Sequence, residues 1–328
     1  MTVFAKQVLE SGGSLHPITI ELSKTNGTGI FNPSLYYDEQ VDKLYFNIRH
    51  CQVTLYHAEN GKYESFWGPL HYCHPENDLT LTTTNYFGEL NKQTLEPIYT
   101  SKVDTTKLDV APIWNFVGLE DCRIVKWDNK LYLSGVRRDT TTNGQGRIEL
   151  SGIEIDGEHI KEVTRNRLKP PLGDSYCEKN WMPINDKPFE YAKWCNPTEI
   201  VLANLENNTT TQVFHGKEAF AYPRDFRGGS QVIRLNDKYR FCCVHTVNLF
   251  KSEQDRKNAV YRHCFIIWDE DWNVIKHTSE FSFLDAKIEF CAGMTKYKED
   301  FLISFGYQDN ASYVLRVPES LMESICLN

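Results

Sequence analysis

From Gly118 to Asp139 the chain reads GLEDCRIVKWDNKLYLSGVRRD. Apolar and polar positions alternate on either side of Asp128-Asn129, which predicts two half-buried antiparallel strands joined by a tight turn. Two acids and a base, Glu120, Asp121 and Arg123, open the first strand, and Arg137 and Arg138 close the second. Antiparallel pairing returns the end of the second strand to the start of the first, so these charges share one mouth of the hairpin. A single hairpin of this kind is read two ways, as a polar site on a rigid scaffold or as a solvated ion-pair cluster at a strand end.

The same plan recurs. A polar start, a short apolar strand, an Asp/Asn/Lys turn and an aromatic-rich second strand appear in residues 31–50, 120–139, 178–194, 228–246 and 290–309. The turn residues Asp42, Asn129, Asp186, Asp237 and Asp300 are separated by 87, 57, 51 and 63 positions, which leaves room for two further strands in each unit. Four strands repeated five times predict an all-β, five-bladed β-propeller. A β-sandwich or a two-domain β protein leaves the five similar hairpins unexplained. Residues 148–165 and 260–278 read as further hairpins, and near the C-terminus only ESLMESI reads as helical. Residues 51–117 exceed what a blade needs and are expected to hold an insertion over one face. No Pro-, Gly- or Ser-rich linker divides the chain, so the expectation is a single domain over residues 1–328.

Composition narrows the partners. The net charge is −8 and no run of Lys and Arg exists, which argues against nucleic acid. No 18 apolar residues run together and the first residues lack an apolar leader, so no membrane association is expected and the location is read as cytoplasmic. Ten cysteines lie scattered without a C-x-x-C pair, several inside strand patterns, as expected of reduced thiols acting as small hydrophobes. The sequons at Asn26, Asn207, Asn208 and Asn310 are then chance matches. His71, Cys73 and His74 lie close together, but no second group has ligand spacing, so no metal is expected. The GQG at 144–146 lacks a strand–turn–helix setting, and no cofactor is expected.

The repeat turns scattered polar residues into a geometry. The starts of the five inner strands carry Asn32, Asp121, Lys179 with Asn180, Gly229-Ser230-Gln231, and Glu289. The ends of the following strands carry Arg49 and His50, Arg137 and Arg138, Lys193 and Trp194, His245, and Tyr307 with Asp309. On a propeller these positions ring one opening, which makes a pocket of convergent polar groups. His50 and His57 read equally as satisfied strand histidines. Trp67, Trp114, Trp181 and Trp194 serve either as sugar-stacking surfaces or as core.

The order NPSL, GLEDCRI, EKNWMPI and RGGSQ resembles a family of five-bladed propeller glycoside hydrolases and phosphorylases acting on β-mannosides, with propeller mannosyltransferases and furanosidases as relatives. The resemblance runs over most of the chain, although its motifs are short. It implies a catalytic role for Asp121, which matches the aspartate of the family's E-D-P-R motif, with Cys122 standing where the family has Pro. It matches Lys179 and Asn180 to a family K-N pair and points to Arg137 or Arg138 for phosphate, while His245 and Tyr307 follow from blade position alone. The chemistry implied is inverting displacement at an anomeric carbon. Asp121 delivers a proton to the leaving oxygen, and phosphate held by Arg137, Arg138, Lys179 and His245 attacks. In a hydrolase water attacks instead, with Glu120, Glu178 or Glu289 as base. Asn32, Arg49, His50, Arg123, Arg227, Tyr307 and Asp309 complete the expected substrate- and phosphate-binding set. The partners implied are an oligosaccharide or sugar together with inorganic phosphate or a sugar nucleotide. A nucleotide-sugar glycosyltransferase and a non-catalytic glycan-binding propeller are the alternatives.

Overall fold

The computed structural model describes residues 2–21, 25, 29–52, 54–56, 71–73, 80–173, 175–221, 225–251 and 257–328, with the backbone alone at 54–56, 71–73 and 257–258. It is an all-β structure of five main sheets, which follow one another along the chain. The first holds Ile30–Asp38, Lys43–Cys51, Leu81–Leu90 and Pro97–Lys102, with Phe116–Val117 paired in parallel to the third of these. The second holds Leu119–Trp127, Lys130–Arg137, Arg147–Asp156 and His159–Arg167. The third holds Met182–Pro183, Glu190–Cys195, Thr198–Asn204 and Thr209–His215. The fourth is built on Arg240–Lys251 and Lys257–Trp268, flanked by short strands. The fifth holds Glu289–Tyr297, Asp300–Tyr307 and Ala311–Pro318, and Ser14–Ile18 from the start of the chain pairs antiparallel with the last of these.

The local chemistry explains the hairpins. Asp128 and Asn129 both adopt left-handed backbone, with φ of 48° and 61°, the conformation a two-residue hairpin turn requires and Asn and Asp tolerate. The first strands of the third and fourth sheets are short for equally local reasons. Pro183 offers no amide hydrogen to a ladder, and Gly228-Gly229 lacks side chains to pack.

Each sheet shares an apolar core with the next. Leu119, Ile124 and Leu133 meet Tyr45 and Phe87 between the first and second sheets. Trp127 and Leu150 meet Trp181 and Tyr191 between the second and third, and Ile200 meets Val244 and Trp268 between the third and fourth. Phe241 and Phe265 meet Phe301 and Ile303 between the fourth and fifth, and Leu302 and Val314 meet Leu35 and Phe46 between the fifth and the first. The first strands are also stitched together. Gln231 donates to the carbonyls of Leu35 (2.9 Å) and Ile124 (2.8 Å) and accepts from the amide of Met294 (2.9 Å), so one fully buried side chain links four sheets.

Two expectations change. Leu81–Leu90 and Pro97–Lys102 are the outer strands of the first sheet, so part of the segment 51–117 expected to hold an insertion belongs to the sheet itself. A second helix exists, Phe4–Glu10, besides the expected one at Glu319–Leu327. Its seven residues are too few to be helical alone and carry no side-chain cap; burial of Phe4, Ala5 and Val8 against the fourth and fifth sheets holds it. Nine cysteines are described and all are free. No helix among the described residues is long and apolar enough to cross a membrane.

Candidate active site

The site begins with a backbone irregularity. Asn32, Asp121 and Asn180 have φ of 50°, 53° and 61°, and the strand registers break at Phe31/Ser34 and Glu120/Arg123. A bulge of this kind re-aims the side chain it carries, and Asn and Asp are the non-glycine residues that bear left-handed backbone most readily. Two glycines make room for it. A Cβ on Gly228 would stand 1.9 Å from the Asn180 carbonyl oxygen, and one on Gly306 would stand 2.2 Å from Asn32 Oδ1.

Asp121 is the hub of the cluster. Its Oδ1 accepts from Asn32 Nδ2 (2.8 Å) and from Arg49 Nη1 (2.8 Å). Arg49 also donates from Nη2 to Glu120 Oε2 (3.2 Å) and from Nε to Thr83 Oγ1 (3.0 Å). One guanidinium therefore serves two carboxylates, and the field of a third, Asp309, reaches it as well. These acids differ in proton affinity. Burial alone would raise the Asp121 carboxyl, but Arg49, the Asn32 amide and Arg123 together hold it below the usual carboxylate range. Burial raises Glu120, with Arg49 opposing and Asp121 reinforcing, and Glu120 Oε1 is buried without a hydrogen-bond partner. Burial, opposed by Arg49 and reinforced by Asp121 and Glu120, pushes Asp309 up to about 6. The residue expected to donate the proton is thus the one held ionised, while the proton affinity of its two acidic neighbours is raised.

Arg123 holds the base of the cluster. It is 1% exposed and donates to the carbonyls of Gly229 (2.7 Å) and Asp121 (2.8 Å) and to Asn180 Oδ1 (3.5 Å), with the centre of the Phe290 ring 5.3 Å from its Cζ. These contacts come from four sheets and all its hydrogen-bond acceptors are neutral, so its part is to position the site.

A cleft of about 280 Å³ is lined by the cations Lys179, Lys193 and Arg227 and the acids Glu178 and Asp225, with Asn180 and Trp194 among the neutral residues. Among the described residues, Lys179, Arg227 and Arg138 form no ion pair with a carboxylate. Arg138 is steadied by neutral groups, donating to Gly144 O (2.9 Å) and the Tyr176 hydroxyl (3.0 Å) with its guanidinium over Phe116. The charges of Lys179 and Arg138 reach Glu120. His245 is 3% exposed and stacks on Tyr261. Burial, then His263, Arg227, Lys179 and Arg123, hold it far below the ordinary histidine range, so it stays neutral among cations.

The other expected residues stand elsewhere. Arg137 is buried and neutralised by Glu149 (2.7 Å) and Asp139 (3.4 Å), which corrects its reading as a phosphate ligand. Glu289 is fully buried and accepts the amides of Phe283, Leu284 and Ala286 at 2.6–3.0 Å, so it clamps a loop and is no base at an opening. Glu178 accepts from Ser175 Oγ (2.7 Å) and Trp181 Nε1 (3.0 Å) and stands in the lining of the Lys179 cleft. His50 packs edge-on to Tyr86 on the side of its strand opposite Arg49, as alternation requires. Tyr307 packs edge-on to Tyr313. Trp114 packs against Gly144, and two tryptophans line the cleft, Trp181 from the core and Trp194, 44% exposed, from its rim. Trp67, His57 and His74 lie outside the described residues, as do the side chains of His71 and Cys73. No group of three metal-ligating side chains occurs among the described residues. Sequence reasoning missed Tyr261, Phe290 and Thr83, which touch His245, Arg123 and Arg49; each is an ordinary strand residue whose partner lies on another strand.

No family model and no curated protein sequence matches the chain. Solved structures do. A β-1,2-mannobiose phosphorylase from Listeria innocua aligns over 90% of this chain and 91% of its own, with TM-score 0.53 and 12% identity. A mannose phosphorylase from Leishmania mexicana, solved with a phosphate ion, aligns over 99% and 95%, with TM-score 0.51 and 11% identity. A GDP-Man-dependent mannosyltransferase from Leishmania mexicana aligns over 96% and 94%, with TM-score 0.50 and 11% identity. The chain shares their fold. That likeness spans nearly the whole of each molecule and agrees with the resemblance carried by the sequence motifs.

Proposed function

We propose that the five sheets are the blades of a β-propeller forming one domain over residues 1–328, and that its mouth cleaves glycosides of the β-mannoside class by phosphorolysis. The closed series of sheet–sheet cores and the Gln231 links between first strands support the propeller. The observation that carries the function is the pairing of an ionised Asp121, set between Asn32 and Arg49, with a cleft whose cations Lys179 and Arg227 lack carboxylate partners among the described residues.

The roles follow from proton affinity and charge. Phosphate sits against Lys179, Arg227 and Arg138, which form no ion pair among the described residues. Its oxygen attacks the anomeric carbon as the glycosidic C–O bond breaks, with inversion. The leaving oxygen takes a proton, and the products are a sugar 1-phosphate and the shortened saccharide. Asp121 is suited to accept a hydrogen bond or proton from a sugar hydroxyl, and the raised carboxyls of Asp309 and Glu120 are suited to supply one. Neutral His245 offers a hydrogen bond without repelling the cations.

The exposed Trp194 beside the same cations supports a second reading, transfer from a sugar nucleotide whose diphosphate occupies the cleft. Product analysis on a panel of β-mannosides, with and without inorganic phosphate, separates the readings. Sugar 1-phosphate formed only with phosphate and lost in Asp121→Asn supports phosphorolysis. Free sugar formed regardless of phosphate means hydrolysis, and turnover only with a nucleotide sugar means transfer.

A further inference from the structure

A cavity of about 480 Å³ opens between the first and second sheets, lined among others by Thr83, Thr105, Ser151, Asp139 and Glu162. Its volume falls in the range of about 300–1,000 Å³ typical of small-molecule sites. It lies outward of the Asp121 cluster. Arg49 links the two, since its Nε bonds Thr83 of the cavity lining while its Nη atoms bond Asp121 and Glu120. The proposed function assigns this cavity nothing.

Most of its charged groups are paired within the protein, although the exposed Lys102, which also lines it, forms no ion pair among the described residues. Arg137 is held by Asp139 and Glu149, and Glu162 is held by Arg165, which also faces Asp109. An anion therefore gains little beside Arg137, whose charge is already taken up. What is left over is hydrogen-bonding capacity. Asp139 is 4% exposed, and its Oδ2 takes the Gly118 amide (2.8 Å) while its Oδ1 is buried with no hydrogen-bond partner among the described residues. A buried acceptor without a partner is costly, and a ligand hydroxyl would satisfy it. Threonine and serine hydroxyls stand around it, and exposed Val110 with Ala111 and Pro112 gives the lip an apolar edge. Hydroxyl donors and acceptors facing an apolar edge suit a polyhydroxylated ring with its C–H face turned outward.

We propose that this cavity is a second binding site, specific for a neutral saccharide and separate from the site of bond cleavage. Only the choice of a mannose-type probe rests on the proposed function. The test is calorimetric titration of the full chain with D-mannose and with a β-mannobiose, alongside the Ala111→Trp and Asp139→Asn variants. Ala111 is exposed, so its replacement by tryptophan blocks the lip without entering the core. The wild type is expected to show two classes of saccharide site. Ala111→Trp should remove one, and Asp139→Asn should weaken that same one by about tenfold. Identical titration curves for wild type and Ala111→Trp overturn the proposal, as does the absence of saccharide binding to the wild type. Turnover on glycosides is assayed in parallel. Turnover with identical curves sinks this inference alone, whereas a site lost in Ala111→Trp in a protein that turns over no glycoside upholds it and sinks the enzymatic reading.

Discussion

Replacing Arg49 with Met keeps most of the side-chain volume and removes the cation that Asp121 and Glu120 share. The side chains involved are 10%, 20% and 15% exposed, so solvent replaces little of what is lost. Removing one partner of a buried ion pair costs about 3–5 kcal/mol, because the remaining charge is left uncompensated. The size of the loss depends on pH. In the wild type Asp121 sits below its unfolded value, so its contribution is present above the unfolded pKa and disappears as pH falls through the lower folded one. Without Arg49, only the Asn32 amide and Arg123 oppose burial at Asp121, so its carboxyl rises; where it passes the unfolded value, stability falls as pH rises through the new folded pKa. The deficit of Arg49→Met is therefore largest near pH 8. On lowering the pH through the range where the freed carboxyl protonates, it shrinks by about 1.4 kcal/mol per unit. Urea unfolding of both proteins at pH 5 and pH 8 measures it, and Arg49→Lys, which restores charge but not the fork, should recover part of the loss. A deficit below about 1 kcal/mol at pH 8, or one equal at the two pH values, would refute the claim that these acids depend on one guanidinium.

If Asp309 supplies a proton, activity falls as pH rises through about 6, and Asp309→Asn abolishes that limb of the profile; an unchanged profile removes it from the mechanism. Lys179→Ala and Arg227→Ala should each raise the KM for phosphate by about 10- to 100-fold, the equivalent of about 1.5–3 kcal/mol for a charged hydrogen bond, with smaller effects on the sugar. Arg137→Met should instead lower stability by about 3–5 kcal/mol, since Glu149 and Asp139 lose their shared cation; thermal unfolding at neutral pH shows it. Gly228→Ala drives a methyl group against the Asn180 carbonyl and should destabilise by about 1–3 kcal/mol, with activity lost beyond the folded fraction if Asn180 belongs to the site.

Much of this protein is written locally. Alternation around Asp128-Asn129 specifies a hairpin because strand and turn preferences act over a few residues, and the five recurrences of that pattern appear as five sheets. Asn32, Asp121 and Asn180 are legible as equivalent starts for the same reason: their left-handed backbone favours Asn and Asp wherever it recurs. Sequence pattern places Arg49, Arg137 and Arg138 near a mouth, but it does not say which one stays uncompensated. That depends on whether a carboxylate from another strand arrives. Glu149 reaches Arg137, Asp121 and Glu120 reach Arg49, and no described carboxylate forms an ion pair with Arg138. Glu289 reads as a base in sequence, yet in the fold the loop at 283–286 closes over it. The proton affinities of Asp121 and Asp309 separate because the fold brings one cation within reach of three acids drawn from two sheets. Strand pattern is a property of neighbours in sequence, and charge compensation is a property of neighbours in space, so only the tertiary structure decided the second.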